Sequence, residues 1–309
     1  MNSAQPPVLP TPAARRFSVF IKLASIVLLI TFLHIPLAMT SGVLHEREGY
    51  RDQVTREIAT VWGKNQQVTG PVLEVPYVYQ ARVSRSKWTG DRTVQVDEIE
   101  LVRATAYFLP VALDIEGAVE PEMRHRGIYD TVVYSGQLSL TGSFLPDFSA
   151  AGIEAERIDW DKARVLFGVS DLHGVRSIGP CKTGEGKEVA FESSGGTADD
   201  FLPLAAKVPG VAAGARLDFS FGVGLQGSVR LEIAPLGKTT AVRLQSPWPD
   251  PSFTGASLPV TRTVGVGGFK AEWKTSHFSR GFDVRGNQAA RAAVEHLTGG
   301  IRIRGGNAD

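Results

Sequence analysis

The chain has little of what usually marks a chemical specialist. Its 309 residues include one cysteine, Cys181, so no intrachain disulfide can form and cysteine usage leaves the compartment open. That thiol lies in GPCKTGEG beside Lys182 and is expected to be exposed. No sign of charge dominates. Lys plus Arg number 33 against 32 Asp plus Glu, a net charge of +1, and such a balance makes no field that would gather nucleic acid. Six histidines, at 34, 45, 125, 173, 277 and 296, form no i,i+4 pair and have no cysteine companions, so no zinc site is expected. No Gly-x-Ser-x-Gly elbow occurs. Ser84-Arg85-Ser86-Lys87 spells Ser-x-x-Lys, but it is placed in a basic loop between strands and lacks a second signature. GVGLQG, Gly222 to Gly227, matches a dinucleotide fingerprint letter for letter. That fingerprint needs a helix to begin at the glycines, whereas strand-like alternation continues here through Ser228 to Ile233. No cofactor and no catalytic residue follow from these motifs.

One long hydrophobic run is present. Arg15 and Arg16 precede FSVFIKLASIVLLITFLHIPLAM, Phe17 to Met39, which as a helix reaches about 34 Å and suffices for a hydrocarbon core of about 30 Å. The arginine pair before it and mixed charge after it place the amino terminus inside and the bulk of the chain outside. The rival reading, a cleaved signal peptide, would have to cut at Ala38 and Thr40, a poor small-residue pair. Residues 1–16 then form a cytoplasmic tail and 17–39 a transmembrane helix whose partner is the lipid bilayer. Residues 40–64 carry Leu44, Tyr50, Val54, Ile58 and Val61 or Trp62 at helical spacing opposite a charged face, which predicts a juxtamembrane amphipathic helix ended by Gly63.

From about residue 65 the period changes to two. Runs such as GPVLEVPYVYQARVS, TVVYSGQLSLTGSF and LDFSFGVGLQGSVRLEI alternate β-branched or aromatic residues with polar ones, and glycine and proline cut them apart. In the last run Leu217, Phe219, Phe221, Val223 and Leu225 share a face. The prediction is a mainly β protein, with an antiparallel β-sandwich over residues 65–285 and a disordered, polar, Gly-rich tail over 286–309.

SPWPDPSF, Ser246 to Phe253, holds prolines at 247, 249 and 251. Alternate prolines remove successive N–H donors from one edge of an extended chain, so the segment reads as a stop for the strand TTAVRLQS followed by a stiff strap. Trp248, Pro249, Pro251 and Phe253 are its structural or interaction candidates, with the two aromatics as anchors and a ligand slot at Trp248 as the alternative. Asp171 and His173, in VSDLHGVR, form either an Asp-capped turn with an exposed His or a proton-transfer pair. Arg103, Arg124, His125, Arg126, Lys87 and Arg92 are interspersed with glutamates and read as a solvated face.

YRDQVTREIATVWGKNQQVTGPVLEVPY after one membrane span, then HRGIYDTVVYSGQLSLTGSF, VSDLHGV, APLGKTTAVRLQSPWPDPSFTGASLP and GGFKAEWKTSHFSRGF, resemble the CreD family of bacterial inner-membrane, cell-envelope-integrity proteins. The resemblance covers roughly residues 17 to 282, and Trp248 to Gly255 is its most specific part. Asp250 stands where the family usually has His, and His173 where it usually has Arg. The resemblance implies an inner-membrane protein with a periplasmic domain and no assigned catalytic residue. It also implies several carboxy-terminal hydrophobic helices, in place of which this chain carries NQAARAAVEHLTGGIRIRGGNAD, so a truncated form is expected. The function so indicated is non-enzymatic support of envelope integrity or stress response, through contacts with other envelope proteins. The alternative is a periplasmic hydrolase or transferase with a site near Asp171, His173 and Trp248.

Overall fold

The computed structural model describes residues 12–90, 92–184, 186–194, 202–280 and 301–305, and divides into two units, Met1–Thr55 and Arg56–Asp309. One helix, α1, runs from Pro12 to Trp62, so the backbone is continuous where two helices are expected from the sequence. In the first unit Leu23, Ile26, Val27, Leu28, Leu29, Ile30, Phe32 and Leu33 are all exposed. The hydroxyls of Ser25 and Thr31 turn back onto the carbonyls of Lys22 and Val27, both at 2.9 Å. Among the described residues no helix is long and apolar enough to cross a membrane. The side chains at 12–21 and 35–44, and residues 1–11 of the expected cytoplasmic tail, lie outside the description. α1 ends at Gly63 as expected: its N–H closes on Ala59 O at 3.0 Å and its φ of 143° lies where a side chain would be strained.

The second unit is built of strands β1 (Gln66–Thr89), β2 (Arg92–Phe108), β3 (Ala112–Arg126), β4 (Tyr129–Phe144), β5 (Arg157–Ile158), β6 (Arg164–Val169), β7 (Val175–Ile178), β8 (Cys181–Thr183), β9 (Glu188–Val189), β10 (Glu192–Ser193), β11 (Leu204–Lys207), β12 (Leu217–Ser228), β13 (Arg230–Ile233), β14 (Thr239–Ser246), β15 (Pro251–Gly255), β16 (Thr261–Gly265), β17 (Gly268–Ser276) and β18 (Ile301–Gly305). They form two sheets. Sheet A has the order β10-β11-β6-β1-β13-β18-β15, with β2 and β5 on β1. Sheet B has the order β16-β17-β14-β3-β4-β12-β8-β9, with β7 on β12.

The alternating runs supply the core between them. Leu217, Phe219, Phe221, Val223 and Leu225 are all buried. Phe221 meets Phe167 of sheet A edge to face, with ring centroids 5.1 Å apart, the arrangement that ring quadrupoles favour. GVGLQG lies inside β12, with no helix at its glycines.

Five expectations are corrected. The two sheets are mixed rather than antiparallel: β1 pairs in parallel with β13, and β3 with β14. Parallel neighbours need a crossover, and here the chain supplies it by changing sheets. β12 passes from sheet B into β13 of sheet A at Val229, a β-branched residue held at φ 60°, an unusual conformation for that side chain. Ser84-Arg85-Ser86-Lys87 is part of β1, not a loop, because β1 and β2 form one long hairpin. Cys181 is buried, not exposed, since β8 lies on β12 and turns it into the core. The expected tail is a strand at Ile301–Gly305: its apolar-basic alternation fits a slot between β13 and β15, with Ile301 1% exposed. The rest of that tail lies outside the described residues. Finally, the strap is bent at Pro247, Pro249 and Asp250 rather than extended. β14 does stop at Ser246, but the chain then crosses to sheet A and resumes pairing as β15.

Candidate functional site

Asp171 and His173 sit where β6 ends and a short 3-10 turn, Leu172–Gly174, begins. Asp171 Oδ1 accepts from His173 N–H at 3.1 Å and lies 3.1 Å from His173 Nδ1. Its other oxygen accepts from Lys64 N–H at 3.0 Å. Desolvation acts to raise the pKa of Asp171, but the bonds from Lys64 N–H and from His173 outweigh it and hold the carboxyl below the usual aspartate range. The His173 side chain is 92% exposed. This is an Asp-capped turn with an outward imidazole.

The cluster under that turn was not legible in the sequence. Gln66, 1% exposed, donates to Asp171 O at 3.1 Å and to Gln226 O at 3.0 Å. Arg176 donates to Gln226 Oε1, and Ser170 Oγ bridges Asn65 O and Gln67 N–H at 3.0 and 2.9 Å. The set fastens the start of β1, just after the helix end, to β6 and β12. Glutamine at a strand start gives no signal of this kind; only the pairing of distant strands brings the partners together.

Trp248 is half-buried and packs on the core, and its N–H donates to Ser246 Oγ at 3.2 Å. Beneath it is a cavity of about 30 Å³ bordered by Tyr134, Val229, Leu231, Trp248, Phe269 and Ile303, among others. That volume suits a water, not an organic ligand. Asp171 and His173 do not line it. Phe253 stands edge to face against Phe269 and Trp273, at 5.3 and 5.4 Å, while Pro249 is exposed and Pro251 opens β15. The structure therefore does not gather the sequence candidates into one concave site; Trp248 and Phe253 are wedges between sheets.

The larger hollows lie on the outer face of sheet B. One of about 990 Å³ is bordered by Asp114, Thr141, Lys182, Asp218, Ser220 and Lys274, among others. Its neighbour, about 760 Å³, includes Glu116, Ser139, Arg243, Thr263 and Lys270. Strand register explains the row: Arg243 is opposite both Glu116 and Glu272. Arg243 pairs with Asp114 at 2.6 Å and Glu116 at 2.8 Å. The hydrogen bond to Glu116, with the surrounding carboxylates, raises the guanidinium pKa further. The Lys274 hydrogen bond holds Glu272 below its ordinary range. These groups neutralise one another across the face; none is set as a nucleophile beside a base. Among the described residues no three His, Cys, Asp or Glu are placed to hold a metal ion.

A family model described as "Inner membrane protein CreD" matches residues 18–302. The Escherichia coli (strain K12) protein of that description is 29% identical over 271 residues, covering 86% of this chain and 57% of the relative, so the chain spans little more than half the relative's length. Among solved structures, an M1 zinc metallopeptidase from Deinococcus radiodurans aligns with 64% of this chain and 42% of its own, at 14% identity and a TM-score of 0.32. A mutant of that enzyme bound to a Tyr-Ser-Ala substrate aligns over the same shares at 13% and 0.32. A score so low carries no argument.

Proposed function

The chain belongs to the CreD family of inner membrane proteins, and from that premise we propose that it is a non-enzymatic protein of the inner membrane that supports envelope integrity or the response to envelope stress through a periplasmic β domain. Residues 17–39 anchor it in a single pass with the amino terminus in the cytoplasm. The observation that carries this reading is the extent of the family match, which takes in both the apolar run and the two-sheet unit. The exposed aliphatic residues from Leu23 to Leu33, with the hydroxyls of Ser25 and Thr31 satisfied by backbone carbonyls, are what a lipid-facing helix requires. Other envelope proteins are the partners proposed for the domain, with no nucleic acid and no cofactor.

The separation of Asp171 and His173 from the Trp248 cavity supports a binding role over a hydrolase or transferase. A strain lacking the gene, challenged with membrane-active detergent, tests the whole reading. Complementation by the intact chain and by a His173→Gln variant, but not by a chain lacking 12–39, is the expected result. Loss of complementation in His173→Gln, with the protein folded and at normal abundance, would contradict the non-enzymatic role.

A further inference from the structure

The β1–β2 hairpin outruns its sheet. Beyond Val78, β1 pairs with β2 alone, in unbroken register to the turn after Thr89. Tyr79–Thr89 therefore carries a two-stranded ribbon roughly 35 Å past the last neighbouring strand. The ribbon leaves the unit at the end opposite the one where the chain comes in. Glu57 pairs with Arg126 at 3.0 Å, and Trp62 lies 4.4 Å from the Arg124 guanidinium and donates to Tyr134 O at 3.4 Å, so entry is beside the β3–β4 turn. Farther along β1, Tyr77 meets Phe148 edge to face at 5.5 Å, and Phe148 follows the other end of β4. β1 thus runs in the direction of β4, and its hairpin tip points away from the entry.

Two-stranded ribbons are marginally stable in water unless something covers them. One face of this ribbon is bare. Register sets Arg82 opposite Ile99, and Trp88, Asp97 and Leu101 lie an even number of residues from them along their strands, so all five share that face. Trp88 is 70%, Ile99 68% and Leu101 65% exposed, and Arg82 makes no ion pair among the described residues. On the opposite face Arg85 already meets Glu100. The two strands also differ in charge. Tyr79–Thr89 holds Arg82, Arg85 and Lys87 and no acid, whereas Thr93–Val102 holds Asp97, Glu98 and Glu100 and no base.

We infer that this face docks a second copy of the chain, the two ribbons stacking with their tips pointing the same way. A two-fold axis along the ribbons lays the basic strand of each copy over the acidic strand of the other. Arg82 of one copy then covers Ile99 of the other and has that copy's Asp97 beside it. Such isologous two-fold contacts are the commonest way a chain pairs with itself. Joining the ribbons edge to edge about the same axis sets the row of three carboxylates against its own copy, which is unfavourable. A head-to-tail stack inverts one copy and lifts its entry end by more than the 24-residue length of β1, roughly 80 Å at the usual rise. Residues 40–55, the tether between the apolar run and Arg56, reach at most about 55 Å. One ribbon face, roughly 35 by 10 Å, is under half of the roughly 800 Å² per partner in a standard interface. Pairing therefore depends on the effective concentration that a shared bilayer supplies, and the inference rests on the anchored reading above.

The test uses the full chain in a Cys181→Ala background, reconstituted into lipid vesicles, with a single cysteine replacing Ile99, Leu101 or, on the opposite face, Glu98. A bismaleimide with a reach of about 10 Å matches the spacing of stacked sheets. Ile99→Cys and Leu101→Cys should give roughly fivefold more cross-linked dimer than Glu98→Cys, because successive side chains of a strand point to opposite faces. Arg82→Glu added to Ile99→Cys should remove that excess, with the circular dichroism of the parent retained. A chain that floats with the vesicles but gives no dimer at 99 or 101, or as much at 98 as at 99, overturns this inference and leaves the anchor standing. A chain that does not float overturns the anchor, and this inference with it. In whole cells, an Ile99→Cys product at a mass other than twice that of the chain assigns the face to a different protein and overturns the second-copy assignment.

Discussion

Gln66 and Asp171, 105 residues apart, grip each other through an amide-to-backbone pair: Gln66 Nε2 donates to Asp171 O at 3.1 Å, and Asp171 N–H donates to Gln66 Oε1 at 3.4 Å. The same side chain also satisfies Gln226 O. Gln66→Ala strips donors from two carbonyls in a closed site, so a loss of about 2–3 kcal/mol is expected, read as a lower urea midpoint with unchanged m. Gly174→Ala should act in the same direction, because a Cβ there would collide with the Gln66 amide and with Gln226 O.

Asp171 gives the pH dependence its sign. Its native pKa lies below the ordinary aspartate value, so the stability it contributes is present above that ordinary value and lost as pH falls through the lowered native pKa. Asp171→Asn keeps a capping oxygen but removes the charge. The urea midpoint of the variant should therefore fall less than the parent's between neutral pH and pH 3.

Cys181 is buried, and desolvation pushes its thiol up to about 11. Alkylation at pH 8 should be slow in the native chain and fast in urea, because only the thiolate reacts. The raised pKa also means that any stability the thiol contributes is complete below about 9, its ordinary value, and fades as pH rises toward 11.

Phe253 joins the sheets by packing on Phe269 and Trp273. Phe253→Ala should cost about 3 kcal/mol, at the low end of the range for such truncations because the ring is only half-buried, measured by urea denaturation.

Arg302, on β18, reaches Glu232 Oε2 at 2.9 Å, and the Glu232 side chain is only 9% exposed. Arg302→Ala leaves that carboxylate without its guanidinium, and a loss of about 3 kcal/mol is expected. Faster cleavage after Phe253 in limited proteolysis would report the loosening of β15, whose backbone pairs with β18.

Local alternation made the β content legible, and with it the buried face of β12 from Leu217 to Leu225. The stop of β14 at Ser246 was legible too, because proline geometry acts locally. Parallel pairing of β1 with β13 was not, since nothing in Ser228-Val229-Arg230 announces a change of sheet. IRIRG was hidden for another reason: five residues between glycine-rich stretches form a strand only because β13 and β15 leave a slot and Glu232 meets Arg302. The Arg243 cluster depends on register between β14 and β3, which bring Asp114 and Glu116 to it from more than 100 residues away, and between β14 and β17, which bring Glu272. Asp171 and His173 were rightly adjacent as a capped turn, yet their distance from Trp248 could come only from three dimensions.

The central claim is an anchored chain whose β unit lies outside the cytoplasm, and a reporter fused after Asp309 tests it most directly. Alkaline phosphatase at that position should be active and green fluorescent protein dark, because the enzyme needs the oxidising side of the membrane to form its disulfides. Bright fluorescence with inactive phosphatase would put the β unit in the cytoplasm and contradict the account.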